Sequence, residues 1–358
     1  MTIIPIGNTK VHIGPLENSG FIDTLNQFSH RKKVIMVDEN THDCCLEYLL
    51  TSFPTLEEAE VMLLPAGEEN KVLEICYQVW SALLEYEIGR HDLIINLGGG
   101  LVSDMGGFIA SVYKRGIPFV HIPTSLMAMV DASIGGKNGV DLNGIKNCIG
   151  TINDPTAIFV DPAFLSTLPA EEIFNGFAEM LKHALITDVD YWNALKSLKT
   201  EEELITLSNL IRSIEIKKNI VNADPLESGV RKKLNFGHTL GHALESYFLT
   251  QKPIAHGHAV ALGMIAESFI SYKRGVLSAA AYSEIEQVLI RIFPMLDIPE
   301  GAVEQIIAFI KNDKKNEGKE MNFVLLEALG QTSINASLSE NEIGESLLHL
   351  SLLAGHAN

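Results

Sequence analysis

Cysteine is scarce: Cys44, Cys45, Cys76 and Cys148 are the only four in 358 residues, and no two form a CxxC pair. Neither a disulfide framework nor a thiolate metal site is expected, and reduced thiols in a reducing compartment are the simpler account. Long apolar runs are missing too, since no stretch reaches the ~18 residues that span a bilayer. The opening MTIIPIGNTKVHIG has no basic segment leading into an apolar one, so the expectation is a cytoplasmic protein without a membrane partner. Positive charge is in deficit. Lys and Arg number 27 against 45 Asp and Glu, a net charge of −18, which argues against a nucleic-acid or anionic-membrane footprint. An anionic ligand must therefore find a local basic pocket.

What is present is ordinary globular material. Hydrophobic residues make up 46% and charged residues 20%, which excludes a disordered chain, and the length suits about two domains. Early in the chain, short β-branched runs alternate with helical patterns: VIMV ends in Asp38, VMLLP leads to a turn at Gly67, and LIIN runs into GGG. This predicts an α/β domain with a mostly parallel sheet. Residues 88 to 150 hold 12 of the 28 glycines, a region of tight turns. Beyond Asp161 amphipathic helical windows take over, the first with Thr167 before Leu168 and Pro169 in the manner of an N-cap. The predicted division is an α/β nucleotide-binding domain over 1–160 and an all-α domain over 161–358.

In DLIINLGGGLVSDMGGFIASVYKRG an apolar strand feeds Gly98, Gly99 and Gly100, which lack the Cβ atoms that would hold a pyrophosphate off the backbone. The run departs from GxGxxG because Ser103 stands at the third glycine position. Asp38 and Asn40 end one strand, and Glu68 and Lys71 follow another, which is where ligand sites of parallel sheets lie.

Four of the twelve histidines, His238, His242, His256 and His258, fall within 21 residues. His238 and His242 share a helix face at i, i+4, and two histidines with one carboxylate would complete a catalytic zinc site that keeps a position open. Glu179 is one carboxylate on an apolar helix, GFAEMLKH, but Lys182 and His183 at i+3 and i+4 equally suit an intrahelical ion pair. Candidate anion ligands are Lys137, Lys146 with Asn147, Lys217, Arg231 with Asn235, and Lys314 with Lys315. Lys137 and Lys146 lie inside the glycine-rich stretch, and Arg231 with Asn235 directly precedes the histidine cluster, where they would supply local positive field.

Taken together, GGGLVSDMGGFIASVYKRG, IPTSLMAMVDASIGGKNGV, GIKNCIGT, FLSTLPAEE, GFAEMLKHALI, NFGHTLGHALES, HGHAVALGM and DKKNEGKEMNFVLLEALG resemble the sugar-phosphate cyclase family, most closely its dehydroquinate synthase branch. The resemblance runs from about residue 33 to 330. It implies an NAD-dependent, zinc- or cobalt-dependent lyase of the shikimate pathway with a small sugar-phosphate substrate, 3-deoxy-D-arabino-heptulosonate 7-phosphate. It further implies that Glu179, His238 and His256 hold the metal. NAD would contact Asp38, Asn40, Glu68, Lys71, Gly99, Gly100, Leu101, Val102, Ser103, Asp104, Thr124, Ser125, Lys137 and Lys146. The segment Phe164, Leu165, Ser166, Thr167 and Leu168, with Glu172, would complete the nucleotide site. Asp131, Lys137, Lys146, Asn147, Lys182, Lys217, Arg231, Asn235 and His242 would surround the substrate and its phosphate, and Arg115 would reach the phosphate of a neighbouring subunit in a homodimer.

Three residues depart from the family pattern: Ser103 for glycine, Ser125 for the second threonine of Pro-Thr-Thr, and His258 for the glutamate after His-Gly. The last removes a carboxylate close to a metal ligand and adds an imidazole able to compete for the ion. The competing readings are another cyclase acting on glucose 6-phosphate or sedoheptulose 7-phosphate, a metal-dependent polyol dehydrogenase of the glycerol dehydrogenase kind, and a paralogue that only binds NAD.

Overall fold

Runs of β-branched and aliphatic residues form the strands of the first half. In chain order these are β1 (Thr2–Ile6), β2 (Thr9–Ile13), β3 (Lys33–Asp38), β4 (Glu60–Leu64), β5 (Leu93–Gly98) and β6 (Phe119–Pro123). The hairpin strands β7 (Lys137–Leu142) and β8 (Ile145–Ile152) follow, and then β9 (Ala157–Val160). The computed structural model describes residues 1–356 apart from Gly144, Lys199, Thr250 and residues 313–321; Lys314 and Lys315 lie outside the described residues. The chain divides into two compact units, residues 1–173 with 205–225, and residues 174–204 with 226–358.

The first unit is built on a seven-stranded sheet of order β1-β2-β9-β6-β5-β3-β4. Only β1 and β2 pair antiparallel; every other neighbour is parallel, as the alternating pattern predicts. β5 and β6 are buried along their whole length, the signature of strands covered on both faces. Val34, Met36, Ile94 and Phe119 of the sheet pack against Val102, Met105 and Ile109 of the helix Gly100–Val112. The register pairs Met36 with Asn96 and Gly98 with Pro123, so Asp38 at the end of β3, Gly99 just after β5 and Thr124 just after β6 mark the carboxyl ends of adjacent strands. The helix Leu207–Ala223 also belongs to this unit.

The second unit is helical, with an addition that its helical pattern does not announce. From Phe174 onward it contains the helix Ala170–Thr187, then His238–Phe248, His256–Lys273, Ala279–Ile292 and Glu340–His356. The all-α expectation describes this body. Between its last helices lies an antiparallel hairpin of β10 (Asn322–Ala328) and β11 (Gln331–Ser337), where the buried apolar run FVLL is followed by a turn at Gly330 with φ 78°. Thr167 is not the N-cap of the first helix. It ends a 3-10 turn, Pro162–Thr167, whose cap is Asp161, and its hydroxyl donates back to Phe164 O at 3.4 Å. The helix begins three residues later.

Candidate functional site

In the first unit the Gly98-Gly99-Gly100 turn delivers β5 into the N-terminus of the helix Gly100–Val112. Gly99 is the N-cap and offers no side-chain cap, so the first-turn N–H groups, Leu101 and Val102 among them, form an anion-binding end. Ser103 donates its backbone N–H to Gly99 O at 3.0 Å. Its buried hydroxyl has no hydrogen-bond partner among the described residues. Thr124 N–H donates to Gly98 O at 3.0 Å, tying β6 to the turn, and Ser125 Oγ accepts from Ala128 N–H at 3.3 Å.

Lys71 is buried beside this turn, 2.7 Å from Asp104 Oδ2 and 3.4 Å from Glu68 Oε1. Burial opposes its charge, yet Asp104 and Glu68 raise its pKa above the usual lysine value. Lys146 approaches the same Glu68 carboxylate at 3.7 Å. Lys71 O accepts from Asp141 N–H at 2.7 Å, and Asp141 Oδ1 accepts from Asn147 N–H at 2.7 Å, which fixes the β7–β8 hairpin to the lysine. Asp38 also closes a capping box, since its Oδ1 accepts from the Thr41 N–H at 2.8 Å while its own N–H donates to Thr41 Oγ1 at 3.0 Å. Asn40 and Lys137 are exposed, Phe164 and Leu165 are buried, and Leu168 and Glu172 are half-buried. The Ser166 hydroxyl donates to Ala163 O at 2.7 Å. Arg115 is exposed on a turn with φ 67°. Lys217 donates to the Asp131 carboxylate and carbonyl, each at 2.5 Å.

The second unit gathers the histidines. Glu179 and Lys182 are an i, i+3 ion pair, both side chains within 1% of full burial. The other carboxylate oxygen, Oε1, faces His238 Nε2 at 3.5 Å and His256 Nε2 at 3.8 Å. Zinc–ligand bonds of ~2.0–2.1 Å in a tetrahedron set ligand atoms about 3.4 Å apart, so these separations fit three ligands of one ion. With Lys182 on Oε2, Glu179 Oε1 accepts no hydrogen bond from the described residues, a costly state for a buried carboxylate oxygen unless a cation faces it. The distant carboxylate and the two imidazoles therefore converge. His242 stands as close: its ring centroid is 5.2 Å from that of His238 and 5.4 Å from that of His256.

The ring nitrogens are also sorted. A carbonyl only accepts, so the 3.2 Å contact of His238 Nδ1 with Phe236 O places the proton on Nδ1 and leaves the Nε2 lone pair on the side of Glu179. His256 does the same through Glu245 Oε2 at 3.3 Å. His258 does not compete for the ion: its Nε2 donates to Pro294 O at 2.6 Å and its ring stacks on Phe293. Arg231 is buried on the 3-10 turn Val230–Asn235, and Asn235 Nδ2 donates to Glu227 Oε1 at 2.6 Å.

Two functional-looking acids were not singled out from the sequence. Glu245 stands at i+7 from His238, on the same helix face, a spacing that HTLGHALE displays. Glu267 is fully buried and accepts from Gly237 N–H at 2.7 Å and Leu240 N–H at 3.5 Å, anchoring the start of the His238 helix; its only sequence signal is a lone acid in an apolar run.

Residues 61–175 match the family description of the 3-dehydroquinate synthase N-terminal domain, and residues 176–316 that of its C-terminal domain. The chain is 38% identical to 3-dehydroquinate synthase of Parabacteroides distasonis over 328 residues, 91% of this chain and 93% of that protein. It is 41% identical to the Latilactobacillus sakei enzyme of the same name over 280 residues, 77% of each. Among solved structures, 2-epi-5-epi-valiolone synthase of Streptomyces hygroscopicus subsp. jinggangensis, with NAD+ and Zn2+ bound, superposes with a TM-score of 0.85 at 26% identity, covering 99% of this chain and 98% of that one.

Proposed function

The chain belongs to the 3-dehydroquinate synthase family, and from that premise we propose how its own residues serve the family reaction, in which 3-deoxy-D-arabino-heptulosonate 7-phosphate becomes 3-dehydroquinate and phosphate. It is an NAD- and metal-dependent lyase that forms a carbocycle. The observation that carries the assignment of residues is the meeting of Glu179 with His238 and His256.

Glu179, His238 and His256 would hold Zn2+ or Co2+. The Gly99–Gly100 helix end, Lys71 and Asp104, with Asp38, Asn40, Glu68, Leu101 to Ser103, Thr124, Ser125 and the 164–168 segment with Glu172, would hold NAD. The functional division is then nucleotide binding by residues 1–160 and metal and substrate binding by residues 161–358. Bound, the metal would supply Lewis acidity and NAD a hydride acceptor that is regenerated within the turnover.

The remaining work belongs to the side chains. Lys137, Lys146, Asn147 and Arg231 would bind the phosphate by charge-assisted hydrogen bonds, and Asn235 and His242 would orient the substrate hydroxyls. Lys182 neutralises the half of Glu179 turned away from the histidines, and Lys217 fixes Asp131 where it can hold a substrate hydroxyl. Arg115, exposed on its turn, would serve the phosphate of the partner subunit in a homodimer. All four cysteines are free thiols, in keeping with a cytoplasmic setting.

A paired assay of the protein with the heptulosonate phosphate, NAD and zinc tests this reading. Inorganic phosphate should be released with no net nicotinamide absorbance change. Accumulating NADH would point to a polyol dehydrogenase instead. His238→Ala should abolish activity together with stoichiometric metal, and a variant that still carries one metal per chain by elemental analysis would remove His238 from the ligand set.

A further inference from the structure

We propose that Glu245 is a positioning residue of the metal centre, acting through His256. The inference rests on the reading of Glu179, His238 and His256 as ligands and extends it to a residue that touches neither metal nor substrate. The His238–Phe248 helix carries His238, His242 and Glu245 at i, i+4 and i+7, so the three share one stripe. Glu245 is 11% exposed at its side chain and reaches His256 Nδ1 at 3.3 Å, while the Nε2 of the same ring lies 3.8 Å from Glu179 Oε1. One nitrogen is thus engaged by a carboxylate and the other faces the ligand cluster. That arrangement fixes both the tautomer and the rotation of the ring, and it adds negative charge behind a ligand that meets a cation.

His258 cannot take this part. At i+2 from His256 it falls on a different helix face, and its Nε2 is committed to Pro294 O at 2.6 Å. The glutamate that the family pattern places at 258 is therefore not required to orient His256, because Glu245 reaches the ring from another helix. The first helical turn carrying His256 is itself anchored, with Gly257 N–H donating to Asn175 Oδ1.

The test is metal affinity of the full-length protein stripped with a chelator, read by competition between Zn2+ and a chromophoric chelator. Glu245→Gln should weaken binding about 10–100-fold. The apoprotein's circular dichroism and melting temperature should stay those of the parent. The visible spectrum of the Co2+-saturated variant should keep its tetrahedral intensity, since all three ligands remain. His258→Glu should bind zinc like the parent. Parental affinity in Glu245→Gln, or a loss in His258→Glu matching that in Glu245→Gln, overturns the proposal.

Glu179→Gln separates the two readings: if it retains parental affinity, the ligand assignment itself is wrong, whereas if it loses zinc while Glu245→Gln does not, only the role of Glu245 fails. Should Glu245→Gln not fold, the unsubstituted apoprotein decides. Long-range proton–nitrogen spectra of the histidine rings must show the His256 proton on Nδ1, and a proton on Nε2 rejects the proposal.

Discussion

His121 lies inside the parallel sheet, its Nδ1 3.3 Å from Asn96 Nδ2, and burial pushes its pKa from the ordinary 6.5 down to about 3. The folded chain keeps the ring neutral where the unfolded chain protonates it. Below pH 6.5 the unfolded state thus binds more protons, so this contribution to stability is complete above about 6.5 and is lost progressively toward about 3. The slope attributable to the one ring approaches about 1.4 kcal/mol per pH unit. Urea midpoints between pH 6.5 and 4 should therefore fall less steeply in His121→Gln than in the parent; equal slopes would show that the ring does not set the acid limit. At the same scale, Lys137 is exposed at the start of the β7–β8 hairpin, so Lys137→Ala should leave the fold intact. It should raise the KM for the sugar phosphate about 10-fold or more, the worth of one charge-assisted hydrogen bond. An unchanged KM would take Lys137 out of the phosphate site.

The two histidine helices meet through glycine. A Cβ at Gly263 would lie 1.9 Å from Gly237 O and 2.8 Å from Gly241 N, both backbone atoms that cannot swing aside. Gly263→Ala must push the His256–Lys273 helix away from the start of the His238–Phe248 helix. The expected cost is about 1–3 kcal/mol of stability, with a weakened metal site, because the shift separates His238 from His256. A variant with parental denaturant midpoint and parental zinc affinity would contradict that packing. This close approach explains what could be read from the sequence. The strands at VIMV, VMLLP and LIIN, the GGG turn and the i, i+4 histidines are local patterns, and each appears where its pattern predicts. Local spacing leaves Glu179 undecided between ligand and ion pair, and the structure has it facing both Lys182 and the histidines. Glu245, Glu267 and the β10–β11 hairpin escape local reading because their partners lie 11 to 30 residues away or, for the hairpin, because a short continuous apolar run such as FVLL cannot be told from a buried helix segment by periodicity.

Across the whole molecule the charge is −18, and the three proposed ion ligands, Glu179, His238 and His256, all belong to the second unit, residues 174–204 and 226–358. Metal binding is thereby linked to unfolding of that unit. A cation that binds only the folded form, present at a hundred times its dissociation constant, adds about 2.7 kcal/mol to stability. That is as large as the damage expected from Gly263→Ala, so saturating zinc should restore much of that variant's melting temperature. Calorimetry with and without chelator should show a higher-melting transition when zinc is present, and Glu179→Gln should melt at the same temperature in both conditions. The excess negative charge strengthens attraction for the divalent ion at low ionic strength, so the zinc-dependent shift should shrink as monovalent salt is added. A shift that persists in Glu179→Gln would place the stabilising ion elsewhere on this acidic surface.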